Sequence, residues 1–122
     1  MKFFKVFVVA LLALFIGCSD GPETVAVNAA YAISHGDTAE FMKYIDADES
    51  EKSQIKGKLD IMVAGSVAQV NSMGGLKDVK VIETRSQGQY KIVTLEETYG
   101  NGKTQTQELR LKEKNGKWVI VL

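Results

Sequence analysis

The side chains most often used as nucleophile, base or soft metal ligand occur once each in this 122-residue chain, as Cys18 and His35. A metal site would have to rest on carboxylates. The densest run, Asp46-Ala47-Asp48-Glu49-Ser50-Glu51, lacks the glycine and twelve-residue ligand spacing of a calcium loop and reads as a solvated acidic turn. No metal or cofactor is expected. His35 precedes Gly36 at what reads as a helix end, where an imidazolium interacts favourably with the helix dipole. With no partner motif, it is assigned a structural role. The groups left for proton transfer inside a pocket are Tyr31, Tyr44, Tyr90, Tyr99, Glu96 and Glu97. Glu96 and Glu97 are adjacent in a strand-like stretch, so they point to opposite faces and cannot form a carboxylate pair in one cavity. Gly74-Gly75 follows a helix, whereas phosphate-binding nests open one, so it is read as a C-cap. No catalytic residue is assigned, and an enzyme is the less favoured class.

Cys18 has a clearer chemistry. Met1 to Gly17 has the three-part layout of a secretory signal, with Lys2 and Lys5 ahead of an uncharged apolar run from Phe7 to Ile16. That run is too short to span a hydrocarbon core, which takes roughly 20 apolar residues. It ends in Leu14-Phe15-Ile16-Gly17-Cys18, which resembles the bacterial lipobox apart from Phe15 at a position where Leu is usual. The resemblance implies cleavage before Cys18 and attachment to its thiol of a diacylglyceryl group bearing fatty-acyl chains such as palmitate. Each buried methylene contributes about 0.8 kcal/mol, so two or three chains anchor firmly where one would not. Ser19 is compatible with export to the outer membrane, facing the periplasm, if the cell is Gram-negative. The expected organisation is a lipoprotein signal peptide over 1–17, a lipidated tether over 18–21 and one domain over 22–122.

Lys+Arg and Asp+Glu balance at 15 each; losing Lys2 and Lys5 with the leader leaves a slight acidic excess. With no basic patch, nucleic acid is not an expected partner. With Cys18 acylated no disulfide can form, so the hydrophobic core must carry stability.

Three helices come first. Pro22 beside Glu23 marks a helix start, Val25, Ala29, Ala32 and Ile33 share a face, and Gly36 ends it. Asp37-Thr38-Ala39-Glu40 reads as a capping box opening a short helix whose apolar side is Phe41, Tyr44 and Ile45. Ser50 is placed to cap a third, in which Ile55, Leu59, Met62, Val63, Ser66, Val67, Val70 and Met73 recur at spacings of three and four. Four strands follow. Leu76 to Arg85 is the first, and the second, Tyr90 to Tyr99, alternates with Lys91, Val93 and Leu95 on one face. Gly100-Asn101-Gly102 and Asn115-Gly116 are hairpin turns. Lys117 to Leu122 is apolar on both faces, while Thr104 to Gln107 is wholly polar and expected to be exposed. The pattern predicts an α+β domain: three N-terminal helices packed on a curved four-stranded antiparallel sheet, with the long third helix lying across one sheet face.

That order, with Pro22 opening a helix, Ala30-Tyr31-Ala32 before Gly36-Asp37-Thr38, Met73-Gly74-Gly75-Leu76 before the first strand and the ending Lys114-Asn115-Gly116-Lys117-Trp118, resembles the nuclear transport factor 2-like, or cystatin-like, cone fold. It is most similar to small bacterial lipoproteins of that superfamily carrying a domain of unknown function. The superfamily hosts enzymes, ligand binders, dimerisation modules and immunity-type proteins, so the resemblance implies a fold and no one activity.

The expected function is a lipid-anchored accessory domain of the cell envelope that binds a small apolar ligand in the cone or a protein partner on the sheet. Tyr31, Phe41, Tyr44, Met62 and Trp118 are the expected pocket residues. One alternative is a pure interaction module: a homodimer, an envelope-complex subunit or an immunity or inhibitor lipoprotein. The other is a small isomerase, dehydratase or hydrolase, which requires a titrating acid within the cavity.

Overall fold

Alanines decide how the layers stack. The computed structural model describes residues 21–122; the leader, Cys18 and most of the tether lie outside the described residues. The first helix, α1 (Pro22–Ser34), buries Val25, Ala26, Ala29, Ala30, Ala32 and Ser34, which together span more than half its circumference. A helix buried so widely is packed on two sides. Its short side chains let α1 lie against all four strands on one side and against the long helix on the other. Pro22 occupies the first turn, Glu23 lies there to meet the helix dipole, and Gly36, at φ 77°, reverses the chain at the other end. α2 (Thr38–Met42) is capped by Asp37, whose carboxylate accepts from the Glu40 N–H at 3.0 Å. It presents Phe41 to the core, 2% exposed.

α3 (Glu49–Ser72) begins at Asp48, not at Ser50. Asp48 accepts from the Glu51 N–H, and the Glu51 side chain accepts from the Asp48 N–H, a reciprocal capping box. Ser50 lies inside the first turn and donates its hydroxyl to Asp48 Oδ1. The apolar stripe of α3 is real, but it seats against α1 and α2 rather than across the sheet. Leu59 and Val63 are buried, Ile55, Val67, Val70 and Met73 are half-buried, and Met62 is 45% exposed. The sheet-covering role expected of the longest helix belongs to α1. Its alanines permit the closer approach, and α1 then holds α3 off the sheet.

β1 (Leu76–Gln87), β2 (Tyr90–Tyr99), β3 (Thr104–Lys114) and β4 (Lys117–Ile120) form an antiparallel meander in sequence order. Asn115 at φ 54° and Gly116 at φ 79° make the tight β3–β4 turn that the dipeptide announces. Register shifts at Lys77 and Ile82 bend β1. On the helix-facing side of the sheet, Val93, Leu95, Leu111 and Ile120 are fully buried and form the core with Val25, Ala29, Phe41 and Ile45. Thr104, Gln105 and Thr106 are exposed, as their polarity requires.

The short β4 edge is covered. The Ile120 N–H donates to the Tyr44 carbonyl and the Asp46 N–H donates to the Ile120 carbonyl at 2.9 Å, so the segment after α2 pairs with it. Asp46 then accepts from Lys112 and Lys114, both at 2.9 Å, which ties that segment to β3. Val119 and Val121, on the other face of this doubly apolar stretch, are half-buried.

Candidate functional site

Holding α3 off the sheet leaves a space. A cavity of about 380 Å³ lies between the C-terminal halves of α1 and α3 and the end of the sheet near the β2–β3 turn. α1 contributes Ala30, Ile33 and Ser34; α3 contributes Met62, Ser66, Gln69, Val70 and Met73. Phe41 and Ile120 close the inner end. The sheet side is Glu97 and Tyr99 on β2 with Gln105, Gln107 and Leu109 on β3. The wall is mainly apolar with a few convergent polar groups, the usual make-up of a small-molecule site.

Backbone interlocks fix this corner. The Gly100 N–H donates to the Gly75 carbonyl at 2.8 Å, and the Asn101 N–H donates to the Met73 carbonyl at 2.9 Å. They join the end of α3 to the β2–β3 turn, which is why the cavity has a defined width. Gly74 and Gly100 make that crossing possible: a Cβ on Gly100 would run into the Gly74 carbonyl.

Among the described residues, Glu97 is the one with a charged side chain that lines the cavity, and it is 8% exposed. The Tyr99 hydroxyl, two positions along the same face, donates to Glu97 Oε1 at 2.7 Å. Burial, that hydrogen bond and the neighbouring negative charge push the Tyr99 phenol up to about 12. It therefore stays protonated, and stays a donor to Glu97, at any ordinary pH. The cross-strand neighbours of Glu97 are Val79 and Gln105, neither of which can neutralise it. Among the described residues lining the cavity there is no lysine, arginine or histidine. Glu96 faces the other way and pairs with Lys80 at 3.6 Å on the outer face. There Arg85 also reaches Glu108 and the Arg110 guanidinium stacks over Tyr90.

Of the five expected pocket residues, the structure brings Phe41 and Met62 into this cavity. Tyr31 and Tyr44 line a separate, shallower depression with His35, Asp37 and Glu40. There the Tyr44 hydroxyl donates to Glu40 Oε2 at 2.7 Å, and this bond, with Lys43 beside it, holds the Glu40 carboxyl below its ordinary range. His35 forms the end of α1, its ring tilted against Tyr31. Trp118 is half-buried against the core and lines neither hollow. Glu97 and Tyr99 are among the possible proton-transfer groups of the sequence but not among the five expected pocket residues. The signal for them is the alternation of β2: continuing Val93 and Leu95 by twos puts Glu97 and Tyr99 on the helix-covered face. Among the described residues no helix is long and apolar enough to cross a membrane.

Comparison with solved structures places this architecture. The chain is similar to an NTF2-like protein from Campylobacter jejuni, provisionally described as a transpeptidase, with a TM-score of 0.76 and 28% identity over 84% of this chain and 99% of that one. It shares a fold with a SEC-C motif containing protein from Rhodopseudomonas palustris, with a TM-score of 0.54 and 14% identity over 83% of this chain and 75% of that one. A search of the curated proteins found no match. The model of one family, described as a domain of unknown function, DUF4878, matches residues 16–121. Three helices on an open four-stranded antiparallel sheet, NTF2-like in their arrangement, are thus the frame of this site, and the chain belongs to the DUF4878 family.

Proposed function

We propose that this chain is a lipid-anchored, extracytoplasmic binding domain that takes a small, largely apolar ligand into the cavity between α1, α3 and the sheet. The observation that carries the binding half is the cavity itself: an apolar hollow of about 380 Å³ with one buried carboxylate on its wall. A carboxylate at that depth costs free energy that a purely structural core would avoid, and a ligand partner offsets it. The anchoring half rests on the leader and Cys18.

The test is native mass spectrometry on protein isolated from its host without denaturant. A discrete added mass that is absent when Val70→Trp fills the cavity supports the reading. A bare chain in both cases, with no small molecule able to shift the Met62 and Met73 methyl resonances, refutes it. For the anchor, Cys18→Ser should accumulate as an uncleaved or mislocalised precursor; normal maturation with retained membrane association would remove it.

An enzyme of the isomerase or dehydratase type is the second reading, because the acid it requires is present as Glu97. Such chemistry also needs a donor aimed at the charge developing on the substrate. The Tyr99 hydroxyl is directed at Glu97 instead. The transpeptidase description of the Campylobacter jejuni protein would require an activated nucleophile here. The cavity hydroxyls among the described residues are Ser34, Ser66, Tyr99 and Thr106; Ser34 donates to the Tyr31 carbonyl, Tyr99 donates to Glu97, and no histidine or lysine lines the cavity to activate the other two. Binding fits the geometry better than either reaction.

A further inference from the structure

We infer that the ligand of this cavity is an organic cation: an apolar body carrying a protonated amine that pairs with Glu97. The inference rests on the binding reading above and adds the chemical class of the ligand.

Three observations lead to it. Glu97 is 8% exposed and lines the cavity rather than the solvent face of the sheet. Its one side-chain hydrogen bond among the described residues comes from Tyr99, on one oxygen, whereas a carboxylate can accept about four. Every element around it is uncharged where it faces the cavity. β1 presents Val79 opposite Glu97, β3 presents Gln105, α1 presents Ala30 and Ser34, and α3 presents Gln69 and Val70.

A buried carboxylate with one neutral donor and no counter-charge is an incomplete arrangement, because buried charges are ordinarily paired. Elsewhere in this protein that pairing is carried out: Asp46 holds two lysines, and Glu96 and Glu108 each have a basic partner. The missing partner is therefore a cation from outside the chain. Its apolar surroundings, Ile33, Phe41, Met62, Val70, Met73 and Leu109, select an alkyl or aryl body behind the ammonium head and disfavour a hydrated metal ion. An anionic ligand would meet Glu97 with no cation to offset the repulsion.

The experiment uses the full chain labelled with ¹³C at its methionine methyls, since Met62 and Met73 line the cavity and Met42 does not. Three probes of equal chain length are titrated: n-hexylamine, 1-hexanol and hexanoate. The expected result is that hexylamine shifts the Met62 and Met73 resonances and binds about tenfold or more tightly than hexanol. That ratio reflects an ion pair with the carboxylate replacing a hydrogen bond from an uncharged hydroxyl. Hexanoate should bind weakest, and Glu97→Gln should abolish the amine's preference over hexanol. If hexanol binds at the cavity as well as hexylamine does, the cation assignment is overturned and the binding reading stands. If no probe moves either resonance, both fall. Should Glu97→Gln fail to fold, the ranking of the three probes on the unaltered chain decides the matter alone.

Discussion

Removing the Tyr99 hydroxyl should destabilise the protein, and removing the charge of Glu97 should not. Tyr99→Phe keeps the ring, 2% exposed, and deletes a hydroxyl 2.7 Å from a buried carboxylate. A hydrogen bond to a charged group contributes about 1.5–3 kcal/mol, and its loss leaves Glu97 without its donor. At pH 7 the expected loss is therefore about 2 kcal/mol, or about 8–15 °C in melting temperature for a domain of this size. Glu97→Gln retains an acceptor for the Tyr99 hydroxyl and relieves the burial of charge, so it should change stability by less than about 1 kcal/mol in either direction. In that background Tyr99→Phe breaks only a neutral bond and should cost about 1 kcal/mol. The pH dependence is a second check. The folded protein holds the Tyr99 proton up to about 12, against 10.0 in its absence. As pH rises past 10 the unfolded chain releases this proton first, so stability falls through the window from 10 to 12. A shift of that size corresponds to about 3 kcal/mol, present in full below pH 10 and gone by pH 12. Urea denaturation followed by the fluorescence of Trp118, at pH 7, 9 and 11, measures all of this. A gap between wild type and Tyr99→Phe below 0.5 kcal/mol at pH 7, or one that stays constant to pH 11, would refute the claim that a buried carboxylate and phenol share a proton-mediated bond.

Three further outcomes follow from the local geometry. Gly100→Ala drives a Cβ into the Gly74 carbonyl and separates the backbones that exchange the Gly100–Gly75 and Asn101–Met73 hydrogen bonds. It should cost about 2–4 kcal/mol by chemical denaturation, whereas Gly57→Ala, in the open middle of α3, should stabilise by up to about 1 kcal/mol. Asp48→Ala removes both the N-cap acceptor and its reciprocal partner geometry, and should cost about 1 kcal/mol, with amide exchange fastest in the first turn of α3. Lys112 and then Lys114 hold the Asp46 carboxyl below its ordinary 3.8, so its contribution is present above that value and lost as pH falls through the lower folded one. Asp46→Asn should cost about 1 kcal/mol at pH 7, the lysines being partly exposed, and the difference from wild type should vanish in strong acid.

What could be read from the chain alone was whatever depends on neighbours in sequence. Pro22, Gly36, the Asp37 cap, the Gly74-Gly75 stop and the Asn115-Gly116 turn each act through local backbone geometry, and each element boundary they mark is where it should be. The two departures have different causes, one local and one tertiary. Ser50 and Asp48 are both good caps, and the choice between them turns on Glu51, which is three residues beyond Asp48 and one beyond Ser50. The longest helix looked like the one that covers the sheet, but which helix approaches a sheet depends on side-chain size at the contact. Ala26, Ala29 and Ala30 win that competition against Leu59 and Val63. The cavity exists because α1, and not α3, makes the close contact with the sheet. Had α3 lain on the sheet, its stripe would have filled the space over Glu97, and the carboxylate would have had no cavity to face. Because α1 takes that place with small residues and stops at Gly36, the C-terminal half of α3 faces the polar end of the sheet across the cavity. Of the polar stretch Thr104 to Gln107, which reads as mere exposure, Gln105, Thr106 and Gln107 therefore form part of the cavity wall. The adjacent Glu96 and Glu97, on opposite faces, become one surface carboxylate paired with Lys80 and one buried carboxylate that accepts from Tyr99.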